Sequence, residues 1–198
     1  MRWCDLLFAH WTVDAAVLRR LIPEGLELDL FDDRAYVGAV PFRMERVTPR
    51  LVPAISLDAG QELAVRAARR FFHLPYFDAK FEIRNVAECV EYSAVRTHRG
   101  ALGATFKASY RPVGMPYRSA AGSLDTWLTE RYCLYSADSA GRVYRGEIDH
   151  ETWPLQRANG QVRVNTLGEW LGIEMQGQPQ TLHFAKSLDV HAWLVERI

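Results

Sequence analysis

Three consecutive segments of alternating apolar and polar residues constrain the fold of this chain most strongly. They are Phe77–Arg84, Glu88–Thr97 and Ala101–Pro112, and the connections between them are only a few residues long. The clearest turn is His98–Gly100. Strands joined by such short turns pair in antiparallel fashion, because a parallel pair needs a long crossover connection. The sequence therefore predicts an antiparallel meander over this part of the chain.

Helical patterns are few in the remainder of the chain. One helix is predicted from Ala15 to Ile22, with Thr12 or Asp14 as its N-cap. A second is predicted from Asp58 to Phe72, and Ser123 can cap a short third helix that ends at Thr129. Other segments are predicted as follows: strands at Leu6–Trp11, Gln161–Asn165 and Thr181–Val195, a hairpin of Leu26–Leu30 with Ala35–Met44, a hairpin of Tyr132–Ala137 with Val143–Ile148, and a short helix near Leu167–Leu171.

Many strands and few helices predict an α+β fold that is mainly antiparallel β. A doubly wound parallel sheet is excluded, since it needs helices that alternate with strands throughout. The remaining solution is a curved sheet or β-barrel with a few peripheral helices, and the interior of such a barrel can hold a small ligand. No linker or repeat divides the sequence, so residues 1–198 are expected to form a single domain.

Charge and cysteine content exclude some classes of partner. Lys and Arg together number 24, as do Asp and Glu, and this balance argues against nucleic acid binding. Cys4, Cys89 and Cys133 form no close pair, which favours the reducing cytoplasm. The apolar run near Met1 is too short for a signal peptide or a membrane span, so no membrane association is expected. Exposed strand edges make a homodimer reasonable.

Several stretches, spread in order over nearly the whole chain, resemble the YqjF-like family of uncharacterised proteins. These are Phe8–Trp11, Leu21–Leu26, Val40–Met44, Ala67–Phe77, Leu128–Tyr135, Tyr144–Ile148, Trp153–Leu155 and His183–Ala185. That family is placed in the acetoacetate decarboxylase-like superfamily. The resemblance implies a cone-like barrel of antiparallel strands with a central cavity.

The resemblance does not bring the chemistry of the decarboxylase with it. That enzyme forms an imine through a buried lysine whose pKa is depressed by a neighbouring lysine. Its Pro-Lys-Lys corresponds here to Pro75, Tyr76 and Phe77, and neither aromatic side chain can form an imine. Lys80 and Lys107 are the nearest lysines, and neither has a second lysine beside it. Schiff-base decarboxylation is therefore disfavoured.

The chain also departs from the family between the proline-rich loop Thr48–Ile55 and Ser56. Family members usually have a further stretch there, which would carry pocket residues. Ordinary strand lengths give this stretch about ten to thirty residues. Either this protein lacks the stretch, or the sequence omits residues that the natural chain contains; the second interpretation is favoured. A break in the chain between Leu51 and Leu57 would support it, and ordinary peptide spacing would refute it.

Arg70 and Tyr76 are the first two residues predicted to bind a ligand. Arg69 and Arg70 end the predicted helix, where a cation interacts favourably with the helix dipole. One of them, taken as Arg70, can instead hold a carboxylate through its planar guanidinium. Tyr76 occupies the position of the imine-forming lysine, so its phenol is expected to face the cavity and donate a hydrogen bond. The alternative for Tyr76 is a tyrosine that only packs in the core.

Glu130, Arg131 and His10 complete the predicted substrate-binding set. Glu130 and Arg131 are neighbours at a helix-to-strand junction, so only one of them can point inward, and a structural ion pair is the alternative. His10 is one of four histidines that could suggest a metal site. No spacing among them matches a zinc site, so neither a metal nor another cofactor is predicted.

Two functions remain open from the sequence, and no catalytic residue is identified. In the first, the barrel binds a small organic molecule such as a carboxylate and acts as a lyase-like enzyme without a Schiff-base lysine. In the second, it is a non-catalytic binding or scaffold protein on a former enzyme fold. The absence of a Gly-x-Ser-x-Gly elbow and of a phosphate-binding glycine loop removes two common enzyme classes.

Overall fold

The computed structural model describes residues 1–46, 76–138 and 140–198, and these residues form a mainly antiparallel β structure with few helices. The strands are β1 Arg2–Val13, β2 Ala35–Ala39, β3 Arg43–Glu45, β4 Ala79–Val86, β5 Cys89–Arg96, β6 Thr105–Tyr117, β7 Cys133–Ala137, β8 Val143–Asp149, β9 Leu155–Asn165, β10 Thr181–Asp189, β11 His191–Ala192 and β12 Glu196–Arg197. The helices are α1 Ala15–Leu21, α2 Leu124–Thr129 and a single 3-10 turn, Glu169–Leu171. The predicted helix from Asp58 to Phe72, with Arg70, lies outside the described residues.

The strands form two antiparallel sheets. In the main sheet the order is β2-β1-β10-β9-β6-β5-β4, and β3 pairs with the first residues of β1. In the small sheet β8 pairs with β7 on one side and with β11 and β12 on the other. The predicted meander is confirmed as β4-β5-β6, and so is the β7-β8 hairpin.

Strand β1 separates two hydrophobic clusters, one on each face of the main sheet. All residues from Cys4 to Trp11 are buried, so both faces of this strand are covered. The inner core includes Leu7, Ala9, Trp11, Ala39, Val90, Phe106, Ala108, Tyr110, Val162 and Phe184. The outer core consists of Leu6, Phe8, Trp153, Leu155, Ala185 and Leu188. Alternation along β1 thus sends its side chains to two different environments.

The main sheet is strongly curved. In a flat sheet, six strand-to-strand steps of about 4.8 Å would hold β2 and β4 about 29 Å apart. Ala39 at the end of β2 and Phe81 of β4 nevertheless line the same cavity. Within the described ranges no hydrogen-bonded pairing joins β2 to β4, so the sheet curls without closing there, and the predicted barrel is not confirmed.

Local capping defines both short helices as predicted. The Asp14 carboxylate accepts a hydrogen bond from the backbone N–H of Ala16, and it is Asp14 rather than Thr12 that caps α1. The Ser123 hydroxyl accepts one from the N–H of Thr126 at the start of α2. No helix in the described part of the chain has the length and apolar character needed to cross a membrane.

Two strand predictions are wrong. Leu26–Leu30 alternates as expected but forms no strand: Asp32 and Asp33 turn the chain with positive φ, and only Phe31 and Arg34 pair across this turn. Ala35–Ala39, which was predicted to pair with Leu26–Leu30, pairs with β1 instead. The strand predicted over Thr181–Val195 ends at Asp189, and the following residues leave the main sheet to pair with β8.

Candidate functional site

The main candidate site is a cavity of about 230 Å³ on the concave face of the main sheet. One wall is formed by alternate residues of neighbouring strands, because successive side chains of a strand point to opposite faces. This wall includes Ala79 and Phe81 of β4, Tyr92, Ala94 and Arg96 of β5, and Phe106 of β6. Apart from the Arg96 guanidinium and the Tyr92 hydroxyl, the described side chains that line the cavity are apolar.

Small residues between large ones leave this space open. Ala94 lies directly between Phe81 on β4 and Phe106 on β6. The Tyr92 ring meets both phenylalanine rings edge-on, with centroid distances of 6.3 and 6.2 Å. A large side chain at position 94 would fill the gap that these aromatic rings surround.

Arg96 is the cation among the described residues that line the cavity. Its guanidinium lies 3.9 Å from the centre of the Phe77 ring and 5.2 Å from that of Trp170, and it donates one hydrogen bond to the carbonyl oxygen of Leu102 at 3.1 Å. A guanidinium carries five N–H donors, so further donors remain. Over the described ranges no carboxylate pairs with Arg96.

Neither Arg96 nor Phe77 belongs to the predicted site. A signal for Arg96 was present, because position 96 has the same parity as Val90, Tyr92 and Ala94, whose side chains face inward on β5. The alternation predicts an apolar residue at position 96. Burying an arginine there costs free energy unless the side chain has a partner or a function.

The structure places Phe77, rather than Tyr76, on the cavity wall. Tyr76 is 47% exposed, although partial burial raises the pKa of its phenol. Adjacent residues of an extended chain point in opposite directions, so the two cannot share one orientation. As a ligand-binding residue Tyr76 stays a prediction, and Arg70 lies outside the described residues.

A second polar cluster lies on the opposite face of the main sheet, beneath α2. His183 is fully buried, and its Nε2 lies 3.0 Å from Oδ1 of Asp125. The Tyr117 hydroxyl donates to Oδ2 of Asp125 at 2.8 Å, and Arg157 lies 3.3 Å from the same oxygen. Burial, and after it the bond to Asp125, raises the pKa of Tyr117 to about 12. Asp125 thus contacts three polar side chains, Tyr117, Arg157 and His183, and these contacts hold α2 against the sheet.

His183 is packed between Arg157 and Asp125. Burial lowers the pKa of this imidazole, so the ring is neutral near physiological pH. Its Nδ1 is buried with no hydrogen-bond partner. Its Nε2 lies 3.1 Å from Nη1 of Arg157, which can only donate, as well as 3.0 Å from Oδ1 of Asp125. With no exposed surface, His183 has a structural role.

The other three predicted residues also lie on the α2 side of the main sheet. Glu130 accepts hydrogen bonds from the Trp153 backbone N–H at 2.9 Å and from the Tyr132 hydroxyl at 2.6 Å. Arg131 pairs with Asp29 at 2.7 Å and covers the Trp127 ring at 4.2 Å. Neither residue lines the cavity, and as ligand-binding residues they stay predictions.

His10 is held neutral in the outer part of the fold. It is 5% exposed, and its ring is stacked on Phe8, away from the inner core. A Cβ at Gly38 would meet this ring at 2.8 Å, so glycine is needed at that position. Burial, followed by the nearby charges of His183 and Arg131, lowers the pKa of His10 to about 4.

This pKa predicts acid destabilisation by His10. The pKa in the unfolded chain is near 6.5, so the unfolded chain binds a proton between pH 6.5 and about 4 that the folded chain does not. The free energy of unfolding should therefore fall by about 3 kcal/mol as pH falls through this window. Urea unfolding at pH 7 and pH 4 should show a smaller loss in His10→Gln than in the wild type. His191→Gln, at an exposed histidine, is the control; an equal loss in all three proteins would contradict this prediction.

Comparisons with known proteins give the family. The family DUF2071, described as an uncharacterized conserved protein, matches residues 1–57 and 54–189. The chain belongs to the DUF2071 family. It is also 36% identical to the uncharacterized protein YqjF of Bacillus subtilis (strain 168), in an alignment that covers 96% of this chain and 88% of YqjF. The YqjF-like relationship predicted from the sequence is confirmed.

Among solved structures, the DUF2071 chain is similar to acetoacetate decarboxylase from Legionella pneumophila. The two are 12% identical, with a TM-score of 0.47, and the match covers 100% of this chain and 88% of the decarboxylase.

The DUF2071 matches also bear on the shortened connection. The two matched segments meet at residues 54–57, where the sequence predicts a missing stretch. The alignment with YqjF spans 217 residues and is thus longer than this 198-residue chain, so YqjF has residues with no counterpart here. The predicted test, continuity between Leu51 and Leu57, lies outside the described residues.

Proposed function

We propose that this protein binds a small organic carboxylate in the cavity on the concave face of its main sheet. The curved sheet would form a barrel-like wall around the ligand. The observation that carries the proposal is Arg96, a half-buried guanidinium with no carboxylate partner among the described residues, in a cavity whose other described side chains are apolar apart from the Tyr92 hydroxyl. Arg43, Arg131 and Arg157, by contrast, each pair with an aspartate. A planar guanidinium binds a carboxylate well, and apolar surroundings strengthen the attraction.

The cavity limits the ligand to a modest size. A cavity of about 150 Å³ accepts benzene. The 230 Å³ here suits a molecule somewhat larger than one aromatic ring, such as a short-chain or phenyl-substituted carboxylic acid. Phe81 and Phe106 would contact its apolar part, and the carboxylate would meet Arg96 beside Phe77.

Binding without imine chemistry agrees best with the side chains present. Lys80 is 74% exposed and lies 3.9 Å from Glu82, and Lys107 is exposed on the side of β6 opposite Phe106. Neither lines the cavity. The unpaired thiols Cys4, Cys89 and Cys133 support the further proposal that the protein works in the cytoplasm.

A thermal-shift series tests this function. Hexanoate, benzoate and phenylacetate are each compared with the corresponding neutral amide. A ligand that binds only the folded state raises the melting temperature, and we expect a rise of several degrees for at least one carboxylate and none for its amide. Loss of the charged hydrogen bonds in Arg96→Gln should weaken binding by about 2 kcal/mol.

Arg99→Gln is the matched control, since Arg99 is an exposed arginine in the neighbouring turn. It should respond like the wild type. The proposal fails if no carboxylate shifts the melting temperature, or if Arg96→Gln retains the full preference for carboxylate over amide.

A further inference from the structure

We infer that the ligand carries a second hydrogen-bond-accepting oxygen, which binds the Tyr92 hydroxyl at the other end of the cavity from Arg96. This inference rests on the proposed function and names the ligand class more narrowly. The ligand would be a carboxylate with an apolar middle and an ether, hydroxyl or carbonyl oxygen several bonds away.

The spacing along β5 separates the two polar groups. Tyr92 and Arg96 lie on the same face of the strand, four residues apart. Four residues of strand span about 13 Å between Cα atoms. Arg96 turns toward Phe77 and the Leu102 carbonyl, whereas the Tyr92 ring is held between Phe81 and Phe106. One ligand that reaches both groups must therefore be elongated.

The Tyr92 hydroxyl differs from those of Tyr110, Tyr117, Tyr132 and Tyr144, each of which has a hydrogen-bond partner. Tyr110 donates to the Asp5 carbonyl at 2.9 Å, and Tyr117 and Tyr132 donate to carboxylates. Tyr92 is half-buried, yet its hydroxyl has no hydrogen-bond partner among residues 1–46, 76–138 and 140–198. Tyrosine hydroxyls in partly apolar surroundings normally have a partner, so the cavity presents an unused donor.

The chemistry of this phenol determines what it can bind. Burial raises the pKa of Tyr92 to about 12, so the hydroxyl keeps its proton at neutral pH and acts as a donor. A ligand group that only donates would leave this O–H unmet, whereas an oxygen lone pair satisfies it. Water can play the same part before a ligand binds, and the ligand oxygen would replace it.

Matched ligands on matched variants test the inference. The carboxylates run from butanoate to octanoate. Each is compared with an isostere in which an ether oxygen replaces the methylene next to the terminal methyl, and with one in which a hydroxyl replaces that methyl. Dissociation constants are measured by calorimetry for the wild type, Tyr92→Phe and Arg96→Gln. Tyr92→Phe removes one hydroxyl and keeps the ring.

At the best chain length we expect an oxygenated isostere to gain about fivefold in affinity, relative to its parent, in the wild type but not in Tyr92→Phe. The parent carboxylate should bind both proteins alike. If no oxygenated isostere gains in the wild type, or if Tyr92→Phe keeps the gain, the inference is overturned while carboxylate binding stands. If no carboxylate binds the wild type, the proposed function itself fails.

Discussion

Asp125→Ala is expected to lower the free energy of unfolding by about 3 kcal/mol. The substitution removes the acceptor of the Tyr117 hydroxyl and the carboxylate that lies beside Arg157 and the buried His183 imidazole, and a donor left unsatisfied in the interior costs about 1–3 kcal/mol. Urea denaturation at neutral pH measures the change through the midpoint and the slope of the unfolding curve.

The matched control is Asp29→Ala, which also removes an aspartate that pairs with an arginine. The Asp29–Arg131 pair is exposed, with 61% and 46% of the side chains accessible, so its loss should cost less than about 1 kcal/mol. Asp125→Asn keeps one side-chain oxygen as an acceptor, so its loss in the free energy of unfolding should lie between those of Asp29→Ala and Asp125→Ala. Equal effects of Asp29→Ala and Asp125→Ala would mean that the cluster beneath α2 contributes no more than a surface ion pair.

Gly160→Ala is expected to destabilise the protein by about 3 kcal/mol or more, at the high end of the usual cost of overpacking. Gly160 lies in β9 opposite Tyr110 of β6. An added Cβ would lie 2.7 Å from the carbonyl oxygen of Ser109 and 2.8 Å from the Cβ of Tyr110. Backbone atoms of a paired strand cannot yield without loss of the β6-β9 register, and Tyr110 is part of the inner core.

Gly103→Ala provides the comparison for this substitution. A Cβ at Gly103 meets nothing within 4 Å, and its φ is not positive, so the change should stay within about 0.5 kcal/mol. The same unfolding experiment measures both variants. A Gly160→Ala protein as stable as the wild type would show that β6 and β9 can separate slightly at this point.

Sequence reasoning succeeded where the deciding interactions are local. The meander β4-β5-β6 follows from alternation and short turns, and both helix caps involve side chains within a few residues of the groups they bind. Such features need no knowledge of distant residues. The mainly antiparallel β architecture also followed from these patterns, whereas the closed barrel that the family resemblance implied is not confirmed.

Sequence reasoning failed where the interacting residue or strand is distant in the chain. Alternation in Leu26–Leu30 indicates one buried face but not which strand lies beside it, and the hairpin was wrong because β2 pairs with β1 instead. The contact between His183 and Asp125 joins residues far apart in sequence, and no spacing rule connects them. Arg96 was within reach, because its parity on β5 placed it among inward-facing residues.

The cavity lies where β2 and β4, the two edge strands of the curved sheet, approach each other without pairing in the described ranges, a line called the seam here. A bound ligand would therefore affect how easily the sheet opens. These strands are the first and last members of one hydrogen-bonded path, and the cavity touches both. A molecule lodged there would bridge the seam as a non-covalent crosslink and restrain the sheet from uncurling. Amide hydrogen exchange should then slow most along the two rims, while β1, already covered on both faces, changes least.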